Sequence, residues 1–175
     1  QEMLDYYVSH RVSKYNHQPY VDVVPIYGIK NKKRILVLGQ VPHDDSLKYG
    51  GGIGITLLDV VNRAIAENPE AQIIIKPHPM MLDDPSIVST LTELECLILT
   101  QSIHLVDALE TIDHVYTITS LGGFEALLRG KKVSVLGKPF YTKILDNEEI
   151  RGVLYLCFFS YLLYNTNHFT QNKTD

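Results

Sequence analysis

The stretch VYTITSLGGFEALLRGKKVSVL, residues 115–136, decides the fold because a strand, a helix and a second strand follow one another in it. Residues 115–118 and 132–136 are short and apolar, which is typical of strands buried on both faces of a sheet. Between them, residues 121–128 favour a helix that closes at Gly130. Since parallel neighbours need such a crossover connection, the stretch predicts a β-α-β unit.

The same alternation extends toward the amino terminus. Short apolar runs predict further strands, and periodic apolar positions predict helices between them. The strands are expected at residues 35–38, 71–75 and 96–99, and the helices at 2–15, at 57–67 behind a Thr56 cap, at 85–94 and at 104–110. Residues 16–25 favour an extended linker, residues 30–34 a charged turn and residues 40–54 a loop. This order predicts an α/β fold with a Rossmann-like, doubly wound parallel sheet.

Composition excludes several classes of protein. The chain has 175 residues, 45% of them hydrophobic, which suits one ordinary domain. With 16 Lys+Arg against 20 Asp+Glu there is no basic surplus, so we expect no nucleic-acid partner. Cys96 and Cys157 lie in apolar runs, which favours buried thiols in a reducing compartment. The first residues do not resemble a signal peptide.

The apolar run VLYLCFFSYLLY, residues 153–164, is shorter than the ~20 residues that span a bilayer. It predicts a helix that is apolar nearly all round, of which one face packs on the sheet and the other needs a partner. We therefore expect this chain to self-associate or to expose an apolar patch. The expected organisation is an N-terminal helix and linker at 1–30, a Rossmann-like domain at 31–152, and a C-terminal helix and tail at 153–175.

Polar residues follow three predicted strands, at the edge where an open α/β sheet binds its ligands. The first loop, residues 40–46, contains Gln40 and the adjacent carboxylates Asp44 and Asp45. A carboxylate at this position can act as a nucleophile, a general base or a metal ligand. The alternative is that the two aspartates only form a turn. No DxD run of metal-dependent sugar transferases is present, so we expect neither a metal nor another cofactor. The second loop offers Lys76 and His78 to a phosphate, unless Lys76 is only solvated and His78 only fills a turn.

The third loop opens the helix at residue 121. Thr119, Ser120, Gly122 and Gly123 predict hydroxyls and bare amides at its positive end, where a phosphate binds well. Glu125, one turn further, could accept hydrogen bonds from sugar or ribose hydroxyls. The alternative is an ordinary helix cap, with glycines that permit close packing.

Four segments in order resemble the capsule polysaccharide biosynthesis family, which includes retaining β-Kdo glycosyltransferases that use CMP-Kdo. They are KYN (14–16), ILVLGQVPHDDS (35–46), IIIKPHP (73–79) and VYTITSLGGFEALLRGKKVSVLGKPFY (115–141). The resemblance implies a GT-B enzyme of two Rossmann-like domains, of which this chain supplies the nucleotide-binding one. The amino-terminal acceptor domain is then missing, and the chain alone is expected to be inactive.

The resemblance also implies roles for individual residues. Asp44 matches the aspartate of the family's Q-V-x-x-D pattern, the expected nucleophile for retention. His78 matches the KPHP histidine near the nucleotide phosphate, and Ser120 with the glycines after it matches the helix start. Glu125 matches the family's glutamate. The expected partners are a nucleotide-sugar, a glycan or lipid-linked glycan acceptor and other capsule biosynthesis proteins, at the cytoplasmic face of the inner membrane.

Two features depart from the family. The PFY segment continues here as residues 142–145, TKIL, where a Gly- and Trp-containing stretch is expected, and the chain has no Trp. The acceptor or the donor sugar can therefore differ. Two other functions stay open: a nucleotide-sugar epimerase of GT-B shape, and a non-catalytic nucleotide-binding or assembly module of a capsule synthesis or export complex. A dehydrogenase is disfavoured, because no G-x-G-x-x-G follows the first strand.

Overall fold

Five parallel strands form the sheet in a computed structural model that describes residues 2–13, 19–82, 89 and 91–144. The strands are β1 (Arg34–Leu38), β2 (Gln72–Lys76), β3 (Leu97–Ile98), β4 (His114–Thr117) and β5 (Lys132–Val135). Their order is β3-β2-β1-β4-β5, and each neighbouring pair is parallel. The chain winds from β1 to one edge and then from β4 to the other, which confirms the doubly wound α/β prediction.

Helices connect these strands. They are α1 (Glu2–Ser9), α2 (Val24–Tyr27), α3 (Asp45–Tyr49), α4 (Leu57–Glu67), α5 (Pro79–Leu82), α6 (Leu105–Ala108) and α7 (Leu121–Leu128), followed by a 3-10 turn at Thr142–Ile144. The predicted Thr56 cap of α4 is confirmed: Thr56 Oγ1 accepts from the Asp59 amide at 3.2 Å, and the Asp59 carboxylate accepts from the Thr56 amide at 2.7 Å. This reciprocal pair fixes where α4 begins.

The two faces of the sheet bury different helices. Alternate residues of the strands pack against α4 and form one apolar cluster, which includes Ile35, Val37, Ile73, Ile75, Val60, Val61 and Ala64. The residues between them face the other way, toward α7: a Cβ on Gly122 of α7 would lie 2.9 Å from Leu38 Cδ1. Both faces are covered, as a parallel sheet requires.

Arg34 corrects the predicted charged turn at residues 30–34. It is the first residue of β1, and its side chain is only 1% exposed. The guanidinium donates to Gln72 Oε1 at 2.7 Å, to Thr111 Oγ1 at 2.6 Å and to the Gly28 carbonyl at 2.6 Å. Because every one of these partners lies at the amino end of the sheet, Arg34 ties β1, β2 and the α2 segment together there.

Other boundaries differ from the sequence prediction for local reasons. Helix α1 ends at Ser9, not at residue 15, in a Schellman motif with Arg11 at φ 54° and a Val12 amide bonded to the Tyr7 carbonyl at 3.0 Å. Helix α2 interrupts the predicted linker, since Pro25 is well tolerated in a first turn. Helix α3 interrupts the predicted loop at residues 40–54.

Several predictions fall outside the described residues. They concern the KYN segment at 14–16, most of the helix at 85–94, Cys157 and the apolar run at 153–164. Contacts divide the chain into two units, Gln1–Pro139 and Phe140–Asp175. Everything below concerns the first unit.

Candidate functional site

The sheet reverses its winding between β1 and β4. These strands are neighbours, but the chain leaves β1 toward β2 and leaves β4 toward β5. Loops diverge from such a point and open a crevice at the carboxyl ends of the strands. The loops that follow β1 and β4 are two of the three that the sequence singles out.

A hydrogen-bonded network joins these two loops. Gln40 Nε2 donates to Thr119 Oγ1 at 2.9 Å and to Ser46 Oγ, and Gln40 Oε1 accepts from the Thr119 amide at 3.1 Å. Ser46 Oγ in turn donates to Asp44 Oδ1 at 2.6 Å. Gln40 is 8% exposed and Thr119 is 3% exposed, so water does not replace these bonds easily. The network therefore fixes Asp44 relative to the end of β4.

Close backbone approach supports the network. A Cβ on Gly50 would lie 2.7 Å from Thr119 Cγ2, and the Gly50 carbonyl accepts from the Lys138 amide at 2.6 Å. A Cβ on Gly39 would lie 2.9 Å from Pro77 Cα. Residues with a side chain do not fit at either glycine without a backbone shift. The loops after β1, β2, β4 and β5 are thus packed against one another.

A cavity of about 770 Å³ opens beside the network, on the side of α4. Gln40, Asp44 and Asp45 line it, as does His43, whose φ is 71°. The rest of the lining is largely apolar and includes Leu47, Ile53, Ile55, Leu57, Leu58, Met81, Leu91 and Ile118. An apolar pocket with a few convergent polar groups is the usual form of a small-molecule site.

Asp44 and Asp45 differ in their surroundings. Asp44 is half-buried and caps α3, where its Oδ1 accepts from the Ser46 amide at 2.8 Å. Asp45 is exposed, in the first turn of α3. Since Asp44 is the carboxylate held by the network, it has the more defined position at the cavity.

The start of α7 corrects one prediction. Ser120 Oγ accepts from the Gly122 amide at 3.1 Å, and the Ser120 carbonyl accepts from the Gly123 amide at 3.0 Å. These two amides are therefore not bare: the cap occupies them in this structure. Ser120 and Gly122 are half-exposed, and Gly123 is buried.

Lys76 and His78 lie at the end of β2 and are not among the residues that line this cavity. Lys76 is half-buried, and burial lowers the pKa of its amine; within the described residues, its amine has neither a hydrogen bond nor an ion pair. His78 Nδ1 accepts from the Met80 amide at 3.3 Å, and its carbonyl accepts from the Met81 amide at 2.8 Å. His78 thus shapes the turn into α5, while Lys76 is a cation suited to an anionic ligand.

Glu125 is not brought to the crevice with the other predicted residues. It is 2% exposed, and its carboxylate lies 3.8 Å from the Arg129 guanidinium. Burial, then the charge of Glu125, raises the pKa of the neighbouring Tyr7 hydroxyl to about 12. Helical periodicity explains the difference, because Glu125 lies on the face of α7 that packs against α1. As the structure stands, its carboxylate is closed to sugar hydroxyls.

The part of the chain that the structure describes contains neither a metal-binding cluster nor a membrane-spanning helix. In that part of the chain, no group of three or more His, Cys, Asp or Glu side chains has the arrangement of a metal site. None of the helices described is long and apolar enough to cross a membrane. Cys96 is half-buried and not in a disulfide, and burial raises the pKa of its thiol.

Comparison with known proteins identifies the family. Residues 1–144 match the family described as "Capsule polysaccharide biosynthesis protein". The chain belongs to this family. It is 44% identical over 119 residues to the lipopolysaccharide-processing protein LpsZ of Rhizobium meliloti, covering 64% of this chain and 26% of LpsZ. It is 34% identical over 146 residues to the capsule polysaccharide modification protein LipA of Neisseria meningitidis serogroup B, covering 81% of this chain and 21% of LipA.

Two solved structures share the fold of this capsule-family chain. Both are of Thermosulfurimonas dismutans KpsC, one a beta Kdo 2,4 transferase and the other a beta Kdo 2,7 transferase. The first has a TM-score of 0.67 and the second 0.54, each at 30% identity. The chain covers 44% and 48% of them, which agrees with one half of the predicted GT-B architecture. It spans about a quarter or less of the curated relatives LpsZ and LipA.

Sequence reasoning missed part of this family member's cavity. It did not assign His43 to the site, and it did not predict that Ile53, Ile55 and Met81 line the cavity. One signal was available in the sequence, because large apolar residues in a glycine-rich loop are costly to expose to water. Ile53 and Ile55 are therefore expected either to pack against the domain or to contact a ligand. Ile53 is 74% exposed at the cavity.

Proposed function

We propose that this chain is the donor-binding domain of a glycosyltransferase in capsule or surface polysaccharide biosynthesis, with CMP-Kdo as the donor. The observation that carries the proposal is the network from Gln40 to Asp44 at the reversal between β1 and β4. It presents a carboxylate at the mouth of a cavity large enough for a sugar. Membership of the capsule family and the likeness to two Kdo transferases support the same reading.

The polar groups divide into two proposed subsites. The nucleotide phosphate lies near the start of α7, which Ser120 caps, and the end of β2, where the Lys76 amine is a cation for it. The sugar lies in the cavity, beside Asp44 and Asp45. In this proposal Gln40 and Thr119 lie between the phosphate subsite and the sugar subsite and position the residues of both. In this scheme Gly122 keeps α7 close to β1, Gly123 is buried in the same helix, and His78 sets the turn from the end of β2 into α5.

Asp44 is proposed as the nucleophile. Its carboxylate oxygen attacks the anomeric carbon, the bond from that carbon to the phosphate oxygen breaks, and CMP leaves with the bonding electrons. An acceptor hydroxyl then attacks the same carbon, loses its proton and displaces the carboxylate, so that two inversions give retention. Hydrogen bonds from Ser46 to Asp44 favour the charged carboxylate that the first step needs.

The remaining assignments follow from this role. The acceptor is a glycan or lipid-linked glycan, held by a second domain that the relatives' greater length accommodates. The complete protein works with other capsule biosynthesis proteins at the cytoplasmic face of the inner membrane. The chain by itself binds the donor and is inactive in transfer.

One observation favours a second candidate. The bonds from Ser46 to Asp44 are those of an ordinary helix cap, as expected if the chain is a non-catalytic nucleotide-binding or assembly module. Transfer separates the two functions, because only the enzyme needs Asp44 as a reacting group.

The test is Asp44→Asn in the complete protein, with Asp45→Asn as the matched control. Asparagine keeps the cap but cannot form the glycosyl-enzyme ester. We expect Asp44→Asn to abolish sugar transfer and to leave CMP affinity, measured by calorimetry, within about twofold; Asp45→Asn keeps measurable transfer. Undiminished transfer by Asp44→Asn removes the nucleophile role. Titration with CMP, UDP and GDP identifies the nucleotide, and CMP release without any acceptor would indicate an epimerase or hydrolase.

A further inference from the structure

The loop between β1 and α3 contains a histidine in a conformation that favours glycine. The Asp44 amide donates to the Val41 carbonyl at 3.3 Å, which closes a turn with Pro42 and His43 at its two central positions. His43 has φ 71°. Proline followed by a residue of positive φ is the pattern of a type II turn, whose third position is normally glycine. A histidine there is strained relative to glycine.

Among the residues that the structure describes, no side-chain bond of His43 offsets that strain. The His43 side chain is exposed, and within the described residues it has neither a hydrogen bond nor an ion pair. It does line the cavity, next to Asp44 in the chain. A side chain that costs stability and contacts solvent at a cavity is expected to serve a ligand.

The charges around the cavity limit where an anionic group of the proposed donor can bind. Asp44 and Asp45 place two carboxylates on the lining, which repels an anionic sugar. The basic groups of the lining are His43 and Lys48. The Lys48 ammonium lies 5.3 Å from the centre of the Tyr49 ring, which is 78% exposed, so it is directed to the outer surface. His43 is therefore the basic group that is placed to meet an anion inside.

We propose that His43 binds the carboxylate of an acidic donor sugar and so determines selection of that sugar. This inference rests on the proposed function, in which the sugar of CMP-Kdo occupies the cavity. Imidazole donates a charge-assisted hydrogen bond to the carboxylate and offsets the two aspartates. Asp44 then meets the anomeric carbon, while His43 holds the acid group attached to that carbon.

The strain makes the test unusually sharp, because the variant that removes the side chain should also stabilise the fold. In His43→Gly, we expect the melting temperature to rise by roughly 1–4 °C, since glycine adopts positive φ without cost. We expect the dissociation constant of CMP-Kdo to rise roughly 10- to 100-fold, the equivalent of one charge-assisted bond, with that of CMP unchanged. If His43 served only the turn, its replacement would not weaken the binding of CMP-Kdo while leaving the binding of CMP unchanged.

Two further variants complete the experiment. His43→Asn tolerates the same backbone and keeps a neutral donor, so it should lose CMP-Kdo affinity without a loss of stability. His10→Gln removes an exposed imidazole that stacks on Tyr6, and it should change the affinity for neither CMP nor CMP-Kdo. Calorimetry on the complete protein measures all of them.

The outcomes separate this inference from the proposed function. If wild-type protein binds CMP but His43→Gly binds CMP-Kdo as tightly as wild type, the role of His43 is refuted and the donor-binding function stands. Equal weakening of CMP and CMP-Kdo in both variants also refutes it. If wild-type protein binds neither ligand, the proposed function fails, and the assignment of His43 fails with it.

Discussion

Replacing Thr119 by valine tests the network that joins the two halves of the crevice. Valine keeps the methyl group that a Cβ on Gly50 would meet at 2.7 Å, and it removes only the hydroxyl. That hydroxyl lies 2.9 Å from Gln40 Nε2 and 3.2 Å from Ser46 Oγ. Each buried bond contributes about 0.5–1.5 kcal/mol, so the free energy of unfolding should fall by about 1–3 kcal/mol.

Urea unfolding gives the measurement. The midpoint should fall with an unchanged dependence on urea concentration, as expected when stability alone is altered. Thr100→Val, at an exposed position after β3, is the matched control and should change stability by less than about 0.5 kcal/mol. Combining Thr119→Val with Gln40→Leu should cost less than the sum of the two single changes, with a coupling of about 0.5–3 kcal/mol. Strict additivity would refute the network.

Two further predictions concern stability elsewhere in the sheet. Gly39→Ala should lower the free energy of unfolding by about 1–3 kcal/mol, because the new methyl meets the Pro77 backbone; an unchanged urea midpoint would contradict the close approach. Burial, then the charges of Lys132 and Lys33, lowers the pKa of His114 to about 4. The unfolded state therefore takes up a proton first, and stability should fall as pH drops from about 6.5 toward 4, by at most about 1.4 kcal/mol per pH unit. In His114→Gln this part of the pH dependence should disappear.

Local patterns predicted the regular elements well because each carries its own signals. The apolar strand cores lie within or beside the observed strands, the Thr56 cap forms, and α7 covers residues 121–128 as expected. The order of the strands depends on contacts between distant parts of the chain, but the rules for crossover connections between parallel strands allow few sheet topologies. Membership of the capsule family, which the quoted segments predicted, is confirmed over residues 1–144.

The site was harder to predict because side-chain direction depends on tertiary packing. Gln40 and Asp44 were chosen for their position after a strand, and they do line the cavity. Glu125 was chosen from its position one turn inside the predicted helix and from the resemblance, and its burial against Arg129 and Tyr7 depends on α1, more than 110 residues away in the chain. Arg34 was taken for a surface charge, because no sequence pattern reveals acceptors contributed by Gln72 and Thr111. The strain at His43 was visible only as a backbone angle.

The backbone bond between Gly50 and Lys138 has a consequence for how the crevice comes into being. Gln40 and Thr119 are 79 residues apart, and the Gly50–Lys138 bond closes an even longer loop. Closing a long loop lowers the entropy of the chain before the contact stabilises the fold. Contacts between residues so far apart in the chain therefore tend to form late in folding. During synthesis the loop that carries Asp44 leaves the ribosome well before β4 and β5 exist to receive it. The geometry of the candidate site is therefore among the last features of this domain to be assembled, and any slow pairing of β4 with β1 delays it.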